Sequence, residues 1–472
     1  MNRVRLAMGW MLLTALALGA APTRAQQPGS QQGGPAALVK DINPAPGVSG
    51  WPGGLVAFGG SAFFTADDGQ HGAELWKTDG TAAGTVLIKD INPAGSGVIS
   101  YTQLLVSGGA LYFGADDGQH GRELWRTDGT EAGTALVKDI NPGAADGYLY
   151  GTDFYGTPIF IADDGVHGSE LWRSDGTEAG TALVQEIHPG PDAGWQARPS
   201  GFAAANGWLY FSADDGQHGR ELWRTDGFSA TTTLVRDIRP GAEGSNPEEL
   251  LYVEGKLHFA AADGTQTYSK ALWTTDGTAA GTIKRNALPV GAAGDQAIDL
   301  FNIGGKLYYS SSSSARFTCG FHGPAIDMVL SACPSQSGIA QAYGRVFFTT
   351  GGWMRTNQLW TTDGTDAGTS LFRQQPAETY IAELTEAKGW LFYSGNDGQH
   401  GQELWQSAGT PAGTAMIQDI NPGAGDSHPY QFTLVGDRLI FTADDGTHGS
   451  ELWSLPLGPR WAHRLWAPLL DR

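Results

Sequence analysis

Residues 66–85 read ADDGQHGAELWKTDGTAAGT, and the stretch returns along the chain with small changes. It reappears as ADDGQHGRELWRTDGTEAGT from Ala115, ADDGVHGSELWRSDGTEAGT from Ala162 and ADDGQHGRELWRTDGF from Ala213. Near-identical copies at a fixed period define a repeat architecture, and that outranks any local reading of one copy.

The tryptophans of this motif and its variants are Trp76, Trp125, Trp172, Trp223, Trp273, Trp360, Trp405 and Trp453. They stand 45 to 51 residues apart, except for one interval of 87 between Trp273 and Trp360. That double interval hides a ninth unit. Its front is visible as FNIGGKLYYSSSS from Phe301, while the later motifs are replaced by sequence containing Cys319 and Cys333.

One unit, read from Leu55, contains four short apolar or aromatic runs: LVAFGG, SAFFTA, AELWKT and TVLIKDI. Turn formers separate them, DDGQHG before the third and DGTAAGT before the fourth. Four antiparallel strands in about 48 residues match a propeller blade, and no 3.6-residue apolar period competes. The ends fit a ring. ALVKDINPAPG from Ala37 is a fourth strand without its first three, and LIFTADDGTHGSELWSLP from Leu439 lacks its fourth. Together they make one blade, which leaves no long open edge. The expected fold is therefore all-β: a single propeller of about nine four-stranded blades over residues 37–456, closed by the N-terminal strand, with eight blades plus an insertion as the alternative.

Residues 1–25 read as a signal peptide. Arg3 and Arg5 precede an apolar run from Leu6 to Ala21, and Thr23-Arg24-Ala25 places small residues where a signal peptidase cuts. The run falls short of the roughly 20 residues of a spanning helix. Residues 26–36 form a polar lead-in and residues 457–472 a tail with Trp461 and Trp466. The expected product is secreted or periplasmic, with no span after cleavage. Two cysteines in such a compartment, Cys319 and Cys333, are expected to pair as a disulfide. A net charge of −20 excludes nucleic acid as a natural partner.

The motif resembles the bacterial ELWxxDGT repeat family, with ELW and DGT together at fixed offset in the units of Trp76, Trp125, Trp172, Trp273 and Trp360, the last two as ALW and QLW. Members of that family are exported proteins without an assigned activity, so the resemblance implies a location and a scaffold. Departures concentrate between Ala260 and Pro376, and at Ala408, where SAGT replaces TDGT.

Three repeated features invite a chemical reading. Asp79, Asp128, Asp175, Asp226, Asp276 and Asp363 each precede a Gly, as a turn closed by a carboxylate requires. The ELW tryptophans fit the wedge between blades; exposed, they would instead make a sugar-stacking surface. The paired carboxylates Asp67/Asp68, Asp116/Asp117, Asp163/Asp164, Asp214/Asp215 and Asp444/Asp445 precede His71, His120, His167, His218 and His448. Oxygen-rich Gly loops are candidates for Ca²⁺, but the alternating EF-hand spacing and its closing Glu are missing. One His per loop does not make a zinc site. The competing expectation is a hairpin turn pinned by Asx-type bonds, with His packing on or bonding to Glu74 and its equivalents. No nucleophile elbow, HExxH or phosphate loop is present. The function expected is a binding or interaction scaffold, monomeric, with a protein or polysaccharide partner and no resident cofactor. The alternative is a glycan-acting hydrolase or lyase at the channel, its unique residues in the irregular units.

Overall fold

The computed structural model describes residues 34–190, 197–265, 270–285, 296–303, 305–313, 316–322, 327–330, 334–350, 357–363, 365, 367–376 and 379–458. Among them, thirty-six strands form nine four-stranded antiparallel sheets. The only helical segments there are two three-residue 3₁₀ turns, Ser229–Thr231 and Pro411–Gly413.

Eight sheets are continuous in sequence and are numbered here as blades 1 to 8: residues 53–89, 105–138, 148–185, 200–236, 248–284, 296–330, 334–374 and 382–418. Blade 9 takes residues 430–456 and borrows Ala37–Lys40 as its outermost strand. Ala37 pairs with Ser454 and Leu38 with Trp453. The double interval between Trp273 and Trp360 does hold a full sheet, blade 6. The ring thus has nine blades, closed by the N-terminal strand. The expected Cys319–Cys333 bridge rests on side chains outside the described residues, as do the signal peptide and the tail from residue 459.

Sequence explains why each blade has this profile. The second strand, such as Ser61–Asp67 (SAFFTAD), is buried along almost its whole length because both its faces meet neighbouring blades. The first strands are half exposed and touch the first strands of adjacent blades, as in blades 9–1, 4–5, 7–8 and 8–9, so they line the axis. Core clusters are shared between blades. Phe63, Leu75 and Ile88 of blade 1 pack on Leu111, Phe113 and Trp125 of blade 2. The closing cluster joins Val39 and Ile42 to Phe64 and Trp76 of blade 1 and to Ile440 and Leu452 of blade 9. Each large buried side chain contributes about 2 kcal/mol.

Candidate functional site

The repeated residues are turn and clasp chemistry. In the DGT turn of blade 1, Asp79 Oδ1 accepts the N–H and hydroxyl of Thr81 at 2.9 and 2.7 Å. Thr81 Oγ then accepts the N–H of Gly84, and its carbonyl accepts the Thr85 hydroxyl. Gly84 lies against the Asp79 carboxylate where a Cβ would clash, which accounts for the second Gly of DGTxAGT. Blades 2, 3, 5 and 7 repeat the pattern. In blade 8, where Ala408 replaces the Asp, a backbone bond from Ala408 N–H to Gly413 O, 3.0 Å, closes the turn.

The tryptophans pack rather than face solvent: Trp76, Trp125, Trp172, Trp273, Trp405 and Trp453 are buried, Trp223 and Trp360 half-buried. A cation from the preceding blade covers several of them. Lys40 Nζ stands 5.3 Å from the Trp76 ring and donates to Thr85 O, and Lys89 repeats this over Trp125 to Thr134 O.

In the DDGxHG turn, Asp67 Oδ1 accepts from Gly69 N–H (2.7 Å), while Asp68 Oδ1 accepts from Gln70 and His71 N–H (2.9 Å each). Asp68 Oδ2 bonds His71 Nδ1 at 2.8 Å. The expectation that the histidine reaches Glu74 is corrected: His71, His120, His167, His218, His400 and His448 all pair with the second Asp of their own turn. Three residues of separation inside one tight turn put the imidazole back on that carboxylate. The bond raises the pKa of His71. Burial works to raise Asp68, yet the N–H bonds and the imidazole outweigh it and its pKa falls. In blade 8 Asn396 takes the first Asp position and accepts the same Gly N–H, so the position needs an acceptor rather than a charge.

Glu74 does something else, which sequence reasoning missed. It is fully buried and its carboxylate accepts the N–H groups of Ile91 (3.2 Å), Asn92 (3.3 Å) and Gly97 (2.8 Å), on the segment leading into blade 2. Glu451 does the same for Ile42 (3.1 Å) and Gly50 (2.6 Å), so the clasp also locks the ring closure. Glu123, Glu170, Glu221 and Glu403 repeat it. Burial pushes Glu74, Glu123, Glu170, Glu403 and Glu451 up to about 7 against the pull of these bonds. The available signal was correlation: Ala271 and Gln358 replace the Glu in the same stretch, Ala260 to Pro376, where the spacing becomes irregular.

What is not repeated stands on the rim formed by these lead-in segments. They share one end of the ring with the DDGxHG turns, as bonds such as Ser450 N–H to Ser49 Oγ show (2.8 Å). Over blades 8, 9, 1 and 2 the rim presents Trp51, 55% exposed, and Tyr101, 47% exposed, together with Val48, Ile99 and Tyr380. Two polar pairs knit the sector. The Tyr101 and Tyr430 hydroxyls meet at 2.9 Å, and Tyr380 Oη lies 2.9 Å from His428 Nδ1. His428 Nε2 is 3.7 Å from Asp426, whose other oxygen accepts from Gln402 N–H. The Tyr101 ring lies over Gly53, where an added Cβ would come within 2.7 Å of it. Burial and the Tyr430 bond raise the Tyr101 pKa, and burial raises that of Tyr380, so both phenols keep their protons.

Beneath the rim the inner strands are linked blade to blade. Glu383 accepts the N–H of Gln431 (2.9 Å), and Gln431 in turn accepts that of Leu55 (3.1 Å). Glu383 and Gln431 sit at bulges with φ of 59° each, the position Gly54 takes in blade 1. Trp51 (φ 49°), Tyr101 (63°) and His428 (44°) also hold left-handed backbone. At the opposite end, a cleft of about 320 Å³ between blades 2 and 3 is lined by Tyr112, Arg173 and Asp175 among others. Arg173 stacks on Phe228 at 4.3 Å and Asp175 closes its own turn. Among the described residues no three His, Cys, Asp or Glu side chains converge as a metal site.

No family model matches the chain, and no curated protein matches it. Among solved structures it is similar to puromycin hydrolase, at 13% identity over 87% of this chain and 61% of that one, with a TM-score of 0.40. A prolyl endopeptidase gives 11% identity, 74% and 55% coverage and 0.41, and an oligogalacturonate lyase in complex with manganese gives 13%, 85%, 86% and 0.38. The chain spans about three fifths of the hydrolase's length or less. These likenesses carry no argument about chemistry. The sheet order itself defines the class, a nine-bladed β-propeller.

Proposed function

We propose that the protein is an exported binding scaffold whose ligand docks on the aromatic rim over blades 8, 9, 1 and 2. One observation carries the reading. Trp51 and Tyr101, 55% and 47% exposed, stand at one end of the ring beside the Tyr101–Tyr430 and Tyr380–His428 pairs, so that exposed aromatic planes and hydroxyls are gathered in one sector. Apolar area exposed in this way forgoes the gain of burial and serves a surface that meets a partner. Export follows from residues 1–25, and a monomer suffices because the rim is built within one chain.

The alternative, a glycan-acting hydrolase or lyase, draws support from the line Asp426, His428, Tyr380. Against it, burial raises the Tyr380 phenol, which makes it a poor base, and Asp426 already holds the Gln402 N–H. The test is retention of labelled mature protein, starting at Gln26, on producing cells or their shed matrix. Retention lost in the Trp51→Ala/Tyr101→Ala double variant, with no new reducing ends released, supports a scaffold. Release of reducing ends would replace it with the enzyme.

A further inference from the structure

We infer that the ligand of the rim is a neutral glycan chain, laid across Trp51 and Tyr101 and hydrogen-bonded by the Tyr101–Tyr430 and Tyr380–His428 pairs. The inference rests on the scaffold reading and names its partner by chemistry.

A pyranose ring has an apolar C–H face and an equatorial rim of hydroxyls. Each hydroxyl donates once and accepts twice, so its best surroundings combine an aromatic plane with groups that do both. The sector supplies that combination. Trp51 and Tyr101 give exposed planes a short distance apart in the chain fold, since the Tyr101 ring rests on Gly53, two residues beyond Trp51. Both phenol–phenol and phenol–imidazole pairs can donate and accept, and their partners sit 2.9 Å apart, a hydrogen-bond length. Ligands of other classes use only part of this. A quaternary ammonium would use the planes alone, and an apolar helix would cover the remaining donor and acceptor capacity of the two pairs without using it.

Charge narrows the class further. The chain is at −20, and removal of Arg3, Arg5 and Arg24 with the leader makes it more negative. The DDGxHG turns of blades 1, 2, 3, 4 and 9 each add two carboxylates and one histidine at this same end, a negative balance even with the imidazole protonated. No Lys or Arg stands among Val48, Trp51, Ile99, Tyr101, Tyr380, His428 and Tyr430. Uronate, sulfate and phosphate polymers are therefore repelled, and uncharged polysaccharides are the occupants left. The Tyr101, Tyr430 and Tyr380 rings are held before binding by their hydroxyl bonds and, for Tyr101, by its seat on Gly53.

The experiment is affinity electrophoresis and calorimetry of the mature protein with soluble β-glucan and mannan, with alginate and pectate as anionic arms and a proline-rich peptide as a third. Retardation by at least one neutral polymer and by neither anionic one is expected. Trp51→Ala should weaken it about tenfold, with Tyr155→Ala, an exposed aromatic at the opposite end, unchanged. Trp51 belongs to no core cluster, so an unchanged melting curve verifies the fold of the variant. Binding to the anionic arms or to the peptide, or neutral binding indifferent to both Trp51→Ala and Tyr101→Ala, overturns the inference. The cell-retention assay separates the two claims. Retention that survives periodate oxidation of cell glycans but not protease treatment keeps the scaffold and removes the glycan. Absence of any retention removes both.

Discussion

Replacing Glu74 by alanine would leave the N–H groups of Ile91, Asn92 and Gly97 without an acceptor in a buried joint between two blades. Water reaches part of such a cavity, so a loss of about 3 kcal/mol is expected in urea unfolding, with Glu74→Gln losing less. Asp128→Ala is expected to behave differently. Its turn is exposed, and blade 8 already runs with Ala408 in that place, closed by a backbone bond. A melting temperature lower by only about one or two degrees would agree, whereas a collapse comparable to Glu74→Ala would contradict this account. The two carboxylates differ in legibility for the same reason. An Asp bonding two residues ahead declares itself by the Gly and Thr beside it. A Glu bonding some twenty residues ahead leaves no local trace, and only its absence from ALW and QLW marks it.

At the scale of the strand, the closing element is a fourth strand detached from its blade. Ala37–Lys40 pairs with Ser450–Pro456 in the register that Val86–Lys89 keeps with Ala73–Thr78, Leu38 opposite Trp453 as Leu87 stands opposite Trp76. In blade 1 the two strands are joined by TDGTAAGT. Deleting residues 34–42 should leave the strand at 450–456 as an open edge and drive association, read as a shift to large species in size-exclusion chromatography. Moving the segment to the C-terminus, with TDGTAAGT joining Ser454 to Ala37, should restore the monomer and its melting temperature. Failure of the transplant would mean that the closing strand needs its own lead-in. This element was legible because a fragment with the fourth-strand pattern opened the chain and its complement ended it. Blade 6 was legible only in outline, since its strands no longer carry ELW or DGT and hold their sheet by backbone pairing.

For the whole molecule, titration is summed over repeats. Each clasp carboxylate takes up its proton more readily folded, at about 7, than unfolded, at 4.5, so stability is full below 4.5 and falls as pH rises through 7. The turn histidines act in the same direction: raised when folded, they contribute fully below 6.5 and lose it above. Asp68 and its equivalents, lowered when folded, contribute fully above 3.8 and lose it as pH falls through their folded value. Melting temperature should therefore be highest between about pH 4 and 6 and fall by pH 8; a rise between pH 5 and 8 would refute the clasp assignment. The ring itself could be read from the repeat because nine similar units constrain one another. The aromatic rim could not, because Trp51, Tyr101, Tyr380 and Tyr430 lie outside the motif, and Tyr101 meets Tyr430 only when the ring closes. Closure also fixes how the molecule bears load. Ala37 and Ser454 stand side by side at the same end of their antiparallel pair, so tension applied through the two termini peels the strands apart one bond at a time instead of shearing them together. A tether at either end alone would leave the ring intact, and a pull on both would unzip it first at the seam.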